Sequence, residues 1–301
     1  MKTKLNKQKK LKLSKKRHII LIPVYNDEKS LNKLLQNIDD SYEMLVDFEN
    51  EILILDDKST NKITLASDNF KNFKKIGILR VKENIGSQKV IAVGLNYLRD
   101  IKENFFITVM DSDGEDNPIE ISKMLTLASK NSDCVITSNR KSRSEPFIIK
   151  VLYKIHLFLT FLFSFKWISF GNFTTFNSIN LKNILNDNSS WLAYSSSIIK
   201  NCKIKRIYAK REKRYFDKSK IGLLKLIEHS IRVNSVFSNR VTLISILYIT
   251  FVYLIFAAGS FTLFIIVSII LFNILIYLVK FKHSIKNFKD CSNLVDSYQI
   301  I

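Results

Sequence analysis

Between positions 111 and 116 the chain gathers four carboxylates, Asp111, Asp113, Glu115 and Asp116, directly after the apolar run FFITVM at 105 to 110. Carboxylates this close repel one another, and at the mouth of a buried strand they are partly desolvated, so the group calls for a cation. Oxygen ligands select hard divalent ions, Mg2+, Mn2+ or Ca2+. A calcium loop is excluded: counted from Asp111, an EF-hand needs Gly at its sixth position and Glu at its twelfth, where this chain has Asp116 and Ser122. Asp111, Asp113 and Glu115 are instead candidate ligands of Mg2+ or Mn2+, ions that take one or two protein carboxylates and complete their shell with substrate phosphate and water. Asp116 and Asn117 also suit a turn or a cap before the next helix.

Such a group needs a frame that holds it at one edge, and the surrounding pattern supplies one. HIILIPV (18 to 24), EILILD (51 to 56), KIGILRV (75 to 81), FFITVM (105 to 110) and CVITS (134 to 138) predict strands. EKSLNKLLQNIDDSYEML, the segment after Ser59, GSQKVIAVGLNYLRDI and PIEISKMLTLASK predict helices between them, the last with Pro118 near its start. Alternating strands and helices imply an α/β fold, a doubly wound and mostly parallel sheet. In such a sheet ligands bind beyond the carboxyl ends of the strands. Tyr25, Asn26 and Glu28 follow the first strand, Asp56 and Asp57 the second, Asn84 the third and the acidic group the fourth, so all four loops converge on one edge.

The chain has 301 residues, 47% of them hydrophobic, with a formal charge of +20. That content supports a folded core rather than disorder, and the charge points to a polyanionic partner. Cys134, Cys202 and Cys291 are far apart and odd in number, which excludes a paired zinc or redox motif. From Val241 to Val279 the chain contains no Asp, Glu, Lys or Arg, an uncharged run long enough for two membrane-crossing helices that turn near Gly259 and Ser260. A buried helical pair in a soluble core is the alternative. Lys218, Lys220, Lys225, Arg232 and Arg240 before the stretch and Lys280, Lys282 and Lys286 after it place both flanks in the cytoplasm by the positive-inside rule. The N-terminal segment MKTKLNKQKKLKLSKKRH is dense in Lys and has no acid, which fits a solvated tail or a segment lying on anionic lipid. No nucleic-acid module signature is present, so lipid is the better polyanion. The segments from 151 to 170 and from 219 to 237 predict helices lying at the membrane interface, with core helices as the alternative.

Four motifs, IPVYNDEKSL, ILILDDKST, ENIGSQKVIAVGL and MDSDGEDNPIEI, stand in the order and spacing of the family 2 inverting glycosyltransferases. The chain resembles most the polyprenyl-phosphate branch, with dolichol-phosphate mannosyltransferase and the bactoprenol glucosyltransferases, over residues 18 to 240. The resemblance implies a GT-A fold in which Pro23, Tyr25, Glu28 and Asp57, with Asp56 beside it, hold the base and ribose of a nucleotide-sugar. It makes Asp111 and Asp113 the DxD pair on metal and diphosphate, and puts Glu115 where the branch often has a metal-contacting Gln. SNRKSR places Arg140 where an Arg faces the phosphates, with Arg143 nearby. RYFDKSK is similar to the branch's R-x-x-G-x-S-K element, which gives Arg214, Ser219 and Lys220 to the acceptor phosphate, and Lys150 falls near a further acceptor-phosphate position. Asp113, Arg140, Arg214 and Lys220 would therefore carry the transfer. The chain departs from the pattern at Lys58 and Asp217, where Gly is usual, and at Asn172, where Asp is common.

The implied reaction is attack of a lipid phosphate oxygen on the anomeric carbon of the donor, with Mg2+ or Mn2+ as cofactor. A phosphate is already anionic at neutral pH and needs no protein base. The expected partners are a nucleotide-sugar, a polyprenyl phosphate and the membrane itself, with a homo-oligomer allowed and nucleic acid excluded. The expected layout is a basic tail (1 to 17), a nucleotide-sugar domain (18 to 150), an acceptor-side region (151 to 240), two transmembrane helices (241 to 280) and a cytoplasmic tail (281 to 301). The cell membrane is the expected location, with both termini cytoplasmic. A non-catalytic binder of nucleotide-sugar or lipid with the same fold is the alternative that Lys58 and Asp217 leave open.

Overall fold

The first five strands are near-continuous apolar runs because both faces of their sheet are covered. A computed structural model of the protein describes residues 15–65, 70–140, 147–216, 222–256, 259–284 and 288–301. The strands are β1 (Lys16–Val24), β2 (Phe48–Asp56), β3 (Lys75–Val81), β4 (Phe106–Val109), β5 (Cys134–Arg140), β6 (Phe170–Asn177), β7 (Lys203–Ala209) and β8 (Val295–Ile300). They form one sheet in the order β7-β5-β6-β4-β1-β2-β3-β8. β1, β2, β3 and β4 run parallel, β6 is antiparallel to both β4 and β5, and β8 is antiparallel to β3.

Alternation along each strand divides the core in two. Ile19 and Leu21 of β1 face the layer that holds α2 (Ser87–Leu98), while Ile20 and Ile22 face α1 (Glu28–Asp40) and α3 (Glu120–Lys130). In α1 the buried Leu31, Leu34, Leu35 and Ile38 follow helical spacing, so a single stripe meets the sheet. After β6 come three short helices, α5 (Leu181–Ile184), α6 (Ser189–Leu192) and α7 (Tyr194–Asn201), of which α6 and α7 pack on α2.

The expected helix after Ser59 is absent among the described residues, and a physical reason is visible. Glu28 accepts bonds from the Thr64 amide (3.1 Å) and hydroxyl (2.8 Å), and Asp39 accepts the amides of Lys71 and Asn72. Side-chain carboxylates thus take N–H groups that a helix would otherwise pair.

The C-terminal tail is the second departure. Rather than trailing away, it forms β8 and caps the β3 edge, with the Tyr298 ring 5.3 Å from that of Tyr97. Between the sheet and this strand lie α8 (Leu223–Ser235), α9 (Ser238–Phe256) and α10 (Ser260–Lys282). Helices of 19 and 23 residues are about 29 and 35 Å long, enough for a hydrocarbon core of about 30 Å. They pack antiparallel and are joined by a polar seam, Asn273 to Ser245 (2.8 Å) and Lys280 to Ser238 (2.7 Å). Only 17% and 11% of their apolar windows are buried, which separates them from the core helices of a soluble protein. α4 (Phe147–Ser164) and α8 carry exposed Ile155, Phe158, Leu224 and Ile227.

Candidate active site

The loop after β4 is anchored where the Met110 amide donates to the Leu21 carbonyl of the neighbouring strand (3.2 Å). Asp111 follows, and its Oδ1 accepts a 2.8 Å bond from Asn172 Nδ2 at the start of β6. The orientation of that amide is fixed from behind: Gln88 Nε2 donates to Asn172 Oδ1 (3.0 Å), and the Tyr194 amide donates to Gln88 Oε1 (2.9 Å). Donors and acceptors run in one direction along this relay, so the NH2 of Asn172 faces Asp111.

A basic arm from the end of β7 lies along the rest of the loop. The Glu212 amide donates to the Glu115 carbonyl and the Tyr215 amide to the Asp113 carbonyl, both at 3.0 Å. Arg214 bridges two acids, with Nη2 2.7 Å from Asp113 Oδ2 and Nε 3.3 Å from Glu115 Oε1, while Arg211 pairs with the other oxygen of Glu115. Tyr215 is pinned by a 2.7 Å bond from Asn37 Nδ2 to its hydroxyl, and its ring covers Gly114. Gly114 has φ +85°, and a Cβ there would stand 2.5 Å from the Cδ2 and Cζ atoms of the ring, so both backbone and space demand glycine.

The loops after β1 and β2 form the other wall. Asp56 is buried, paired with Arg80 and accepting the Ser59 amide (2.8 Å), so it shapes its loop. Asp57 accepts the amides of Ile85 (2.8 Å) and Gly86 (2.9 Å), and burial pushes its pKa up to about 6. Glu28 holds Thr64 as described above, Pro23 is buried within β1, and Tyr25 stands half exposed. Lys58 adopts φ +62°, the conformation that explains a glycine in the resembling pattern, and its ammonium lies 3.7 Å from Asp296 of β8.

The family model for glycosyl transferase family 2 matches residues 19–202, which is more than half of the chain. The chain belongs to glycosyl transferase family 2. Among curated proteins, this family 2 chain is 25% identical over 138 residues to the undecaprenyl-phosphate 4-deoxy-4-formamido-L-arabinose transferase of Proteus mirabilis. That match covers 45% of the chain and 40% of the relative, so the chain spans less than half of that protein. Among solved structures, mannosyl-3-phosphoglycerate synthase from Rubrobacter xylanophilus aligns with TM-score 0.51 at 10% identity, over 75% of this chain and 74% of that one. Glucosyl-3-phosphoglycerate synthase from Mycobacterium tuberculosis, crystallised with Mn2+, UDP and phosphoglyceric acid, aligns with TM-score 0.51 at 14% identity, over 75% and 78%. Both share the GT-A fold with this family 2 chain.

Within that fold, Asp111, Asp113, Glu115 and Arg214 come together on one loop pair, and Asp56, Asp57 and Glu28 on the facing loops. Arg140 ends β5, while Arg143, Ser219 and Lys220 lie outside the described residues. Lys150 is exposed on α4. Among the described residues no three His, Cys, Asp or Glu side chains are grouped to hold a metal. Both Glu115 oxygens answer Arg211 and Arg214, Asp113 Oδ2 answers Arg214, and Asp113 Oδ1 accepts the Glu115 amide (3.0 Å). The hard oxygens of these carboxylates suit an ion that takes one or two of them and fills its shell from a substrate diphosphate, which would also draw the arginines away. Gln88 and Tyr215 lie inside two of the quoted motifs and Arg211 just before one, but nothing in their spacing singles them out as partners of the acidic loop.

Proposed function

We propose that this family 2 chain moves a sugar from a nucleotide-sugar to a polyprenyl phosphate at the cytoplasmic face of the membrane. The observation that carries this is the acidic loop gripped by Arg211 and Arg214, set in a body that also bears two exposed apolar helices. The Proteus mirabilis relative, whose name places undecaprenyl phosphate in its reaction, supports the choice of acceptor.

In this reading Asp57 and Tyr25 receive the nucleoside, and Asn172 holds the Asp111 carboxylate in one orientation. Mg2+ or Mn2+ bound through Asp111 and Asp113 would supply neutralisation of the departing nucleoside diphosphate. An incoming diphosphate competes for Arg211 and Arg214, which exchange their carboxylate partners for phosphate oxygens. The lipid phosphate attacks the anomeric carbon without a protein base, because it is already anionic. Arg143, Lys150, Ser219 and Lys220, with Arg214 beside them, remain candidates for holding it, and Arg140 for facing the donor phosphates, on the strength of the resemblance.

The chain spans the membrane twice in this account, with both ends on the cytoplasmic side. Support comes from β8: a strand that rejoins β3 requires the chain to return to the side it left. The test is a screen of radiolabelled UDP- and GDP-sugars with the purified protein and undecaprenyl phosphate in liposomes. One donor should yield a chloroform-soluble labelled product. A protein that binds a donor yet labels no polyprenyl phosphate is a binder instead.

A further inference from the structure

We propose that a second basic cluster, Lys89, Arg232 and Lys282, at the meeting point of α2, α6, α8 and the end of α10, binds the phosphate of the acceptor lipid. This rests on the reading above and names residues to which the resemblance gives no role.

Lys89 stands in the first turn of α2, where a cation opposes the helix dipole and no acidic residue shares the turn. Its ammonium lies 5.2 Å from the centre of the Trp191 ring in α6. The next residue, Leu192, receives Arg232 of α8: its carbonyl accepts bonds from Nε (3.2 Å) and Nη2 (2.9 Å). Two cations from different helices thus flank adjacent residues of one short helix. One turn back on α8, Glu228 meets Lys282 (3.8 Å) and His283 Nε2 (3.0 Å) at the end of α10. His283 Nδ1 is buried without a hydrogen-bond partner among the described residues.

Arg232 and Lys282 therefore share the field of one carboxylate, and the charges of both act on Lys89. Burial, and then the charge of Arg232, hold the Lys89 ammonium below its ordinary pKa; Glu83 pulls the other way, and Lys282 and Asp57 add smaller opposed effects. Lys89 and Arg232 are partly desolvated like charges, costly unless an anion joins them, and a phosphate accepts charge-assisted bonds from several donors at once, the more exposed Lys282 included. Position supplies the identity of that anion. Lys282 ends an apolar helix long enough to cross a bilayer, which puts it at headgroup depth. On the other side, Lys89 follows Gln88, whose side chain begins the relay to Asn172 and Asp111. A phosphate seated here lies between the lipid surface and the transfer loop, where an acceptor must pass.

The test is direct binding in nanodiscs without donor, using farnesyl phosphate, farnesol and inorganic phosphate as probes, on wild type, Lys89→Gln and Arg232→Lys. Arg232→Lys keeps the charge and one bond to Leu192, which guards against misfolding, and nucleotide-sugar affinity by calorimetry reports an intact fold. Farnesyl phosphate should bind wild type and lose about tenfold in affinity in Lys89→Gln and severalfold in Arg232→Lys, with donor affinity unchanged. Farnesol should bind neither variant differently from wild type. Equal farnesyl phosphate affinity in all three proteins overturns the cluster, even if wild type makes glycolipid. Loss confined to inorganic phosphate overturns the lipid assignment. Cluster-dependent lipid binding by a wild type that makes no glycolipid leaves this site standing and removes the transfer reading.

Discussion

Replacing Gly114 by Ala probes the contact that joins the acidic loop to the basic arm. The new Cβ would stand 2.5 Å from two atoms of the Tyr215 ring, so the ring must move. The left-handed backbone, φ +85°, costs an L-residue about 1 to 2 kcal/mol. Moving the ring forfeits the Asn37 bond, which adds about 0.5 to 1.5 kcal/mol. The sum is about 1.5 to 3.5 kcal/mol, or roughly 2 to 6 °C in Tm for a chain of this size. Because Tyr215 and Asp113 share a backbone bond, the shift also displaces the Arg214 pair, and transfer should fall at least tenfold. The assay is a double-mutant cycle with Tyr215→Ala, read by thermal unfolding in detergent and by glycolipid yield. With the ring gone, Gly114→Ala should cost only the backbone part, so the two changes couple by about 0.5 to 1.5 kcal/mol. Additivity within about 0.5 kcal/mol would refute the packing of the arm on the loop.

Other outcomes follow from single contacts. Asn172→Ala removes the donor to Asp111 and strands the buried Gln88 amide, so transfer should drop about tenfold and stability should fall by about 1 to 3 kcal/mol, measured by glycolipid yield and thermal unfolding. His18 is buried between Asn50 and Thr108, and burial pushes its pKa down to about 4 from an ordinary 6.5. The unfolded chain therefore takes up the proton first as pH falls from 6.5 toward 4, and about 3 kcal/mol of stability is lost across that window. Tm measured from pH 7.5 to 4.5 should fall less steeply in His18→Gln than in wild type. Tags at the two termini should both be shielded from externally added protease in intact cells, since β8 returns the chain to its sheet; an accessible C-terminal tag would break the hairpin.

How much of the fold can be read from the chain depends on how local each signal is. β1 to β4 are readable because a strand covered on both faces must be apolar throughout, and the acidic loop because four carboxylates in six positions are uncommon without a purpose. β7 (KIKRIYA) and β8 (VDSYQI) are not, since edge strands with an exposed face carry ordinary polar residues. The helix expected after Ser59 fails because its amides are claimed by Glu28 and Asp39, which belong to α1 on the far side of β2 in the chain. Lys58 can be flagged as a departure, but its left-handed backbone and its partner Asp296 are properties of the fold. Arg214 reads as a phosphate ligand, and its pairing with Asp113 and Glu115 brings together segments remote from each other in the chain, which no spacing rule encodes.

The central claim is that Asp111 and Asp113 form a transfer site that works with a divalent cation on a lipid phosphate. The most direct measurement is transfer of label from the matched nucleotide-sugar to undecaprenyl phosphate by wild type, Asp111→Ala and Asp113→Ala, each with Mn2+ or with EDTA. The account predicts labelled glycolipid from wild type with Mn2+, a loss of at least a hundredfold in EDTA and in both variants, and donor-free folding stability close to wild type in each. Full turnover in EDTA, or in either Ala variant, would contradict it.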